Sequence, residues 1–331
     1  LTEYATFASK SLVIMGKKVK ILLNRSEITA GTRGASLGPE AVMTAARDKN
    51  DTFFSEYPPV VLKDENHFLD FPAKFPYAKR IEGYSLVFDH VMTGMKNVFA
   101  NKEFPVLISA DHGSAAATIA AIKENYQHQR LGVVWIDAHG DLHTPYTTPS
   151  GNMHGMPLAI ALNEDNLKYK INEVSSEVKS IWESLKNKGG NGAKFSSKDL
   201  FFIGVRDTEE QEEHLMQEHG IRNYTVAELR ERKWSDLALE FQKWIDELDI
   251  LYISFDVDSM DPDITSYGTG TPVKNGITPE EANEMLTFFA KQEKLCCLEF
   301  VEVNPCLDDK KNKMAEVTFE LVKSAVNTIT K

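Results

Sequence analysis

An α/β fold built on a parallel sheet is what this sequence predicts, on three observations: short apolar runs recur along the chain, segments of helical period separate them, and several runs lack polar alternation. A strand with one wet face alternates apolar and polar residues. A strand covered on both faces does not, and parallel sheets are covered on both faces. With 331 residues, 42% hydrophobic and 26% charged, the chain can bury a sizeable core. No repeat or clean linker divides it, so one domain is expected over residues 1–331.

The elements follow in order. "KVKILLN" (18–24) is the first expected strand, rich in β-branched and aliphatic residues. In "GTRGASLGPEAV", Gly31, Gly34 and Gly38 read as backbone punctuation before a helix, with Pro39 in its first turn. Residues 51–80 hold four prolines and read as a surface excursion with one short strand near 59–62. "FPVLISA" (104–110) is a strand leading to a helix over 114–126, and "LGVVWID" (131–137) is the next strand. Within 163–198 an amphipathic segment, "INEVSSEVKSIWESLKNK", precedes "GGNGAKFSS", by composition a flexible loop. "LFFIGV" (200–205) is a strand followed by helices over 209–219, 226–232 and 234–247. "DILYISFD" (249–256), a helix over 279–292, "CLEFVEV" (297–303) and a closing helix from about 309 complete the pattern.

Composition excludes several classes of function. No run approaches the ~20 apolar residues of a membrane span, and the opening stretch lacks the apolar centre of a secretory signal. The three cysteines, Cys296, Cys297 and Cys306, are odd in number and crowded near one end, which argues against a disulfide framework and for a reducing compartment, the cytoplasm. The pair at 296–297 lies on an expected buried strand and reads as core, as do Met153 and Met156. A net charge of −12 without a basic block offers nothing to a nucleic acid, whose phosphates require concentrated positive charge.

The chemistry gathers where apolar strands end. "VVWIDAHGDLHTP" (133–145) places Asp137, His139 and Asp141 at alternate positions, which share one face if the extended geometry persists past Ala138. "LYISFDVDSMDP" places Asp256 and Asp258 two apart after another apolar run, and "ADHGSAAATIAAIK" places Asp111 and His112 at the turn into a helix. Ligands of open parallel sheets collect outside that edge. A lone Asp-x-His is commonly a turn cap. Several acids and imidazoles after three separate strands instead call for cations, because uncompensated charges near a core are costly. His112, Asp137, His139, Asp141, Asp256 and Asp258 would supply a binuclear site, and oxygen donors with imidazole and no thiolate suit Mn²⁺ better than structural zinc.

These segments resemble the ureohydrolase family and, within it, the arginase branch: "ADHGS", "DAHGDLHTPYTTPSGNMHGMPLA", "SFDVDSMDP" with "GTGTPV", "EFVEVNP" and the early "GTRGASLGPEAV" occur in the family's order. The resemblance runs from about residue 18 to the end. It implies a three-layer αβα sandwich with a mainly parallel eight-stranded sheet, assembly as a trimer or hexamer, and two manganese ions per subunit sharing a nucleophilic water or hydroxide. One ion would be held by His112, Asp137, Asp141 and Asp256, the other by Asp137, His139, Asp256 and Asp258. Thr148 and Ser150 would bind an amino acid α-carboxylate, Glu302 the guanidinium, and His154 would shuttle a proton, with Asp141 relaying one locally. His143 stands where the branch usually has Asn for the α-carboxylate, and Glu209 where it usually has Asp for the α-ammonium.

The activity implied is hydrolysis of L-arginine to L-ornithine and urea. The four aspartates, Glu302 and a hydroxide outweigh two dications, so a cationic guanidinium is welcome and a phosphate ester is not. The two departures keep other guanidino substrates open: agmatine, guanidinobutyrate and formiminoglutamate. A non-catalytic metal-binding scaffold and a related-fold deacetylase are the readings from other classes.

Overall fold

The computed structural model describes residues 16–331, so most of the opening stretch assessed for a secretory signal lies outside the described residues. In chain order the elements are β1 (Val19–Asn24), α1 (Gly38–Asp48), α2 (Phe53–Glu56), β2 (Val60–Val61), α3 (Ile81–Ala100), β3 (Phe104–Ser109), α4 (Ala115–Asn125), β4 (Leu131–Ile136), α5 (Pro157–Leu162) and α6 (Ser176–Asn187). There follow β5 (Leu200–Ile203), α7 (Glu210–His219), β6 (Arg222–Tyr224), α8 (Val226–Glu231), α9 (Trp234–Asp246), β7 (Ile250–Asp256), α10 (Pro279–Ala290), β8 (Leu295–Val301) and α11 (Lys313–Ile329). The strands form one eight-stranded sheet in the order β2-β1-β3-β8-β7-β4-β5-β6, and every pairing is parallel.

Every residue of β3, β4, β7 and β8 is buried, which is why these strands are mostly apolar without a polar alternate. One face of the sheet packs against α1, α8, α9, α10 and α11 through Val42, Val226, Phe241, Phe289 and Phe319. The other packs against α3 to α7 through Val91, Ile119, Leu158, Trp182 and Leu215. The αβα layering is therefore as expected. No helix among the described residues is long and apolar enough to cross a membrane.

Four local expectations are corrected. The longest helix, α3, was not anticipated beyond the excursion at 51–80, although its buried Ile81, Tyr84, Val87, Phe88, Val91, Met95 and Val98 recur at helical spacing. The three-residue edge strand β6 was also missed, being too short to show a period. β8 runs two residues earlier than expected and ends at Val301, which releases Glu302 from the ladder. Finally, the glycine-rich loop after α6 is anchored: the buried Lys194 ammonium donates to the carbonyls of Lys186, Gly190 and Gly192. Composition shows the glycines but not this tether.

Phe241 of α9 lies at the middle of the first core, with ring centroids 5.3 Å from Phe201, 4.9 Å from Tyr224 and 5.6 Å from Phe289. Phe241→Ala should lower unfolding stability by about 3–5 kcal/mol in a denaturant titration. A loss under about 1 kcal/mol would mean that this aromatic cluster collapses around the deletion.

Candidate metal centre

The acids and imidazoles converge at the carboxyl ends of β3, β7 and β4, with β8 lying between the first two. His112 opens the turn between β3 and α4; Asp137, His139 and Asp141 follow β4; Asp256 ends β7 and Asp258 sits in the next turn. The alternation argument does not explain how three of them meet. β4 ends at Ile136, and Asp141 has φ +49°, so a left-handed turn, not extended chain, brings its carboxylate back. His139 makes an isolated parallel bridge with Asp207 instead of continuing the strand.

His112 Nδ1 lies 2.9 Å from Asp137 Oδ2, 3.0 Å from Asp141 Oδ2 and 3.1 Å from Asp256 Oδ2. His139 Nδ1 lies 3.0 Å from Asp258 Oδ2 and 3.5 Å from Asp137 Oδ1. Side-chain atoms of His112, Asp137 and Asp141, and separately of Asp137, His139 and Asp258, fall within 4.8 Å of one another, so Asp137 belongs to both groups.

Four of the six ligand candidates are oriented from behind. Asp137 Oδ1 accepts from the His139 amide at 2.7 Å, Asp256 Oδ1 from the Asp258 amide at 2.8 Å, and Asp258 Oδ1 from the Ala138 amide at 3.2 Å. One oxygen of each is thus held by backbone while the other faces the cluster. His112 Nε2 pairs with Ser254 Oγ at 2.7 Å, and its ring stacks on Trp135 with centroids 4.1 Å apart. A hydrogen on Nε2 leaves Nδ1 as a lone-pair donor. His112 Nδ1 and Asp137 Oδ2 are buried and, although 2.9 Å apart, form no hydrogen bond of proper geometry with each other or with any other group. Two such atoms among further carboxylate oxygens fit a cation, or in its absence a proton on the imidazole.

The electrostatics agree. Burial raises the Asp256 carboxyl well above its usual range, and the charges of Asp258 and Asp137 add to this; burial likewise raises Asp141 and Asp258. Burial alone would lower His112 and His139, yet the surrounding carboxylates raise both. Asp137 is lowered despite its burial because it lies between these two imidazoles. The surrounding carboxylates thus favour the protonated, positively charged form of both imidazoles.

Beside the cluster opens a cavity of about 280 Å³, lined by every other expected site residue: Thr148, Ser150, His143, Glu209, His154 and Glu302. Glu302, at φ +70°, accepts from the His112 amide at 2.8 Å, and its Oε1 lies 3.4 Å from His154 Nδ1. Thr148 is buried and its hydroxyl accepts from the Gly151 amide at 2.9 Å; Ser150 is exposed at the rim. Gly151 has φ +75° and a Cβ there would meet the Pro76 carbonyl at 1.8 Å, so the proline-rich excursion buttresses this loop. His143 Nε2 pairs with Glu209 Oε2 at 2.9 Å, an ion pair that holds Glu209 down at about 2 and raises His143 against its burial.

Asp111 does not join the cluster. Its carboxylate accepts from the Thr29 amide at 3.0 Å, and burial, then the charge of Glu302, pushes it up to about 7. Sequence reasoning missed Asp207, Glu212, Asn152 and Thr271, which also line the cavity. Glu212 had a signal: it stands three residues after Glu209 at the start of a helix, the spacing of a capping box, and that box is formed.

The arginase family model matches residues 17–327. An arginase from Bacillus subtilis (strain 168) is 35% identical over 230 residues, covering 70% of this chain and 71% of its own. An arginase from Brevibacillus brevis is 31% identical over 324 residues, covering 94% and 98%. The solved arginase from Bacillus caldovelox superposes with a TM-score of 0.77 at 29% identity, covering 94% of this chain and 98% of that one. The formimidoylglutamase from Bacillus subtilis, at 17% identity and a TM-score of 0.71 over 98% and 90%, shares the fold.

Because the neighbouring carboxylates raise His112 and His139, their protonated forms are favoured in the cation-free protein, and a dication would compete with those protons. Uptake should therefore release protons and strengthen as pH rises. Calorimetric titration in buffers of different ionisation heat measures this; proton-neutral binding between pH 6 and 8 would contradict it.

Proposed function

The chain belongs to the arginase family and is a hydrolase of that family, and from this premise we propose that it cleaves the guanidinium group of L-arginine to L-ornithine and urea, with two manganese ions per subunit. The observation that carries the reading is the buried convergence of His112 Nδ1 on carboxylate oxygens of Asp137, Asp141 and Asp256, and of His139 Nδ1 on those of Asp258 and Asp137, beside a cavity. We assign one ion to His112, Asp137, Asp141 and Asp256, and the other to Asp137, His139, Asp256 and Asp258. Two bound manganese ions would supply Lewis-acid activation of water, making a nucleophile available near neutral pH.

The chain's own residues do the remaining work. Among the described residues no lysine or arginine lines the cavity, which favours a cationic substrate. Glu302, beside both His112 and His154, would receive the planar guanidinium through a carboxylate. His154 would deliver the proton to the departing amine, since Glu302 raises its pKa while burial opposes this. Asp141 would accept a proton locally as the guanidinium carbon is attacked. At the rim, Thr148, Ser150 and His143 would take the α-carboxylate and Glu209 the α-ammonium. Assembly as a trimer or hexamer and a cytoplasmic location belong to the same reading.

One observation favours a second reading within the same chemistry. His143 and Glu209 already satisfy each other at 2.9 Å, so a substrate head group must compete with their ion pair. Another guanidino compound, such as agmatine, guanidinobutyrate or formiminoglutamate, would meet that competition differently.

Urea or amine release from these compounds in the presence of manganese decides between them: arginine should be turned over fastest, and a preference for agmatine would overturn the α-carboxylate assignment. His154→Ala should lower kcat by about 10²- to 10⁴-fold with metal content unchanged, read by steady-state kinetics alongside metal analysis. Undiminished turnover would remove the proton-shuttle role.

A further inference from the structure

We propose that Glu212, a residue of α7 outside the set of cation ligands, is a positioning residue that holds Asp141 in its left-handed conformation; the inference rests on the reading of Asp141 as a ligand. A non-glycine residue in that region persists only where its surroundings determine it, and Asp141 sits there at φ +49°. Its position is fixed from both sides. The Asp141 carbonyl accepts from the Leu158 amide at 3.2 Å, and the His143 amide donates to the Gly155 carbonyl at 3.0 Å. Between these two backbone contacts lies the Leu142 amide, which donates to Glu212 Oε1 at 3.0 Å.

That contact acts on the peptide directly after Asp141, the one whose orientation follows from the Asp141 backbone. If the peptide turned over, its carbonyl would face a carboxylate and its N–H would lose a buried acceptor. Glu212, acting on the N–H of the peptide whose carbonyl the Leu158 amide holds, therefore favours the orientation that returns Asp141 toward His112. The carboxylate is itself held firmly: only 3% exposed, it accepts from the Glu209 amide through Oε2 at 3.2 Å and belongs to the first turn of a helix anchored by buried Leu215. Gly140 leaves room for the approach, since a Cβ there would lie 3.1 Å from Glu212 Oε1. Among these three ties to residues 141–143, Glu212 is the one made by a side chain, and so the one that substitution can remove.

The test is titration of metal-depleted full-length protein with Mn²⁺, reading affinity and stoichiometry. Glu212→Ala should weaken binding tenfold or more, the range seen when an outer support of a ligand is lost. Glu212→Gln should fall between, because its amide keeps one acceptor oxygen, and it carries the test if the alanine variant does not fold. Glu213→Ala, an exposed change in the same helical turn, should bind as wild type. In an Asp141→Asn background the Glu212→Ala effect should shrink to within about threefold, since the support then has no carboxylate ligand to position. Wild-type affinity in Glu212→Ala, or an undiminished loss in the Asp141→Asn background, would overturn the positioning role. Wild-type protein that takes up no Mn²⁺ would overturn the reading of the centre itself, a separate and recognisable failure.

Discussion

Four buried aspartates crowded around two imidazoles impose the constraint on which this molecule is organised. Removed from water, carboxylates at such separations cannot all stay ionised without nearby positive charge. The carboxylates favour protonated forms of His112 and His139, and a cation at the same place would answer the same demand. Orientation makes the exchange specific. Backbone amides occupy one oxygen each of Asp137, Asp256 and Asp258, and Ser254 and Trp135 fix the ring of His112, so the remaining donors face a shared space.

The sheet supplies the rigidity this requires. β3, β8, β7 and β4 are adjacent, parallel and covered on both faces, so the ends from which the clustered acids and imidazoles project are held in register by ladders on either side. At the centre, left-handed backbone appears where the strands have stopped. Asp141 and Glu302 both occupy left-handed backbone, and both put a carboxylate where continued extended chain would not. The surrounding loops are tied down by buried polar groups: Asn172 reaches the Thr148 carbonyl at 2.6 Å, and Glu212 and Glu209 cap α7 while gripping the 140–143 turn. Precision at the centre therefore derives from a shell of hydrogen bonds as well as from the ligands.

Charge also separates the floor of the cavity from its rim. The floor gathers aspartates and Glu302, which suits a guanidinium, whereas the rim carries the His143–Glu209 ion pair beside Thr148 and exposed Ser150. On the proposed reading the floor would bear on reaction class and the rim on which member of that class is used. Family membership speaks most directly to the first, because the rim is where this chain departs from the pattern its motifs otherwise resemble.

The sequence by itself determined the parallel sheet and the identity of the acids and imidazoles that cluster at its edge. Continuous apolar runs such as "LGVVWID" are explicable only by burial on both faces, and acids placed just past them require compensation wherever the loops lead. It showed the helical spacing of α3 as well, but a proline-rich approach obscured it; β6 was too short to leave a signal. Tertiary structure alone decided how the residues meet. Alternation suggested a shared strand face for Asp137, His139 and Asp141, whereas contacts from Leu158, Gly155 and Glu212, distant in sequence, turn Asp141 back by a left-handed step. It also decided that Asp111 supports Thr29 and that Lys194 anchors a glycine-rich loop. Those outcomes depend on partners brought close only by folding, and no local spacing encodes them.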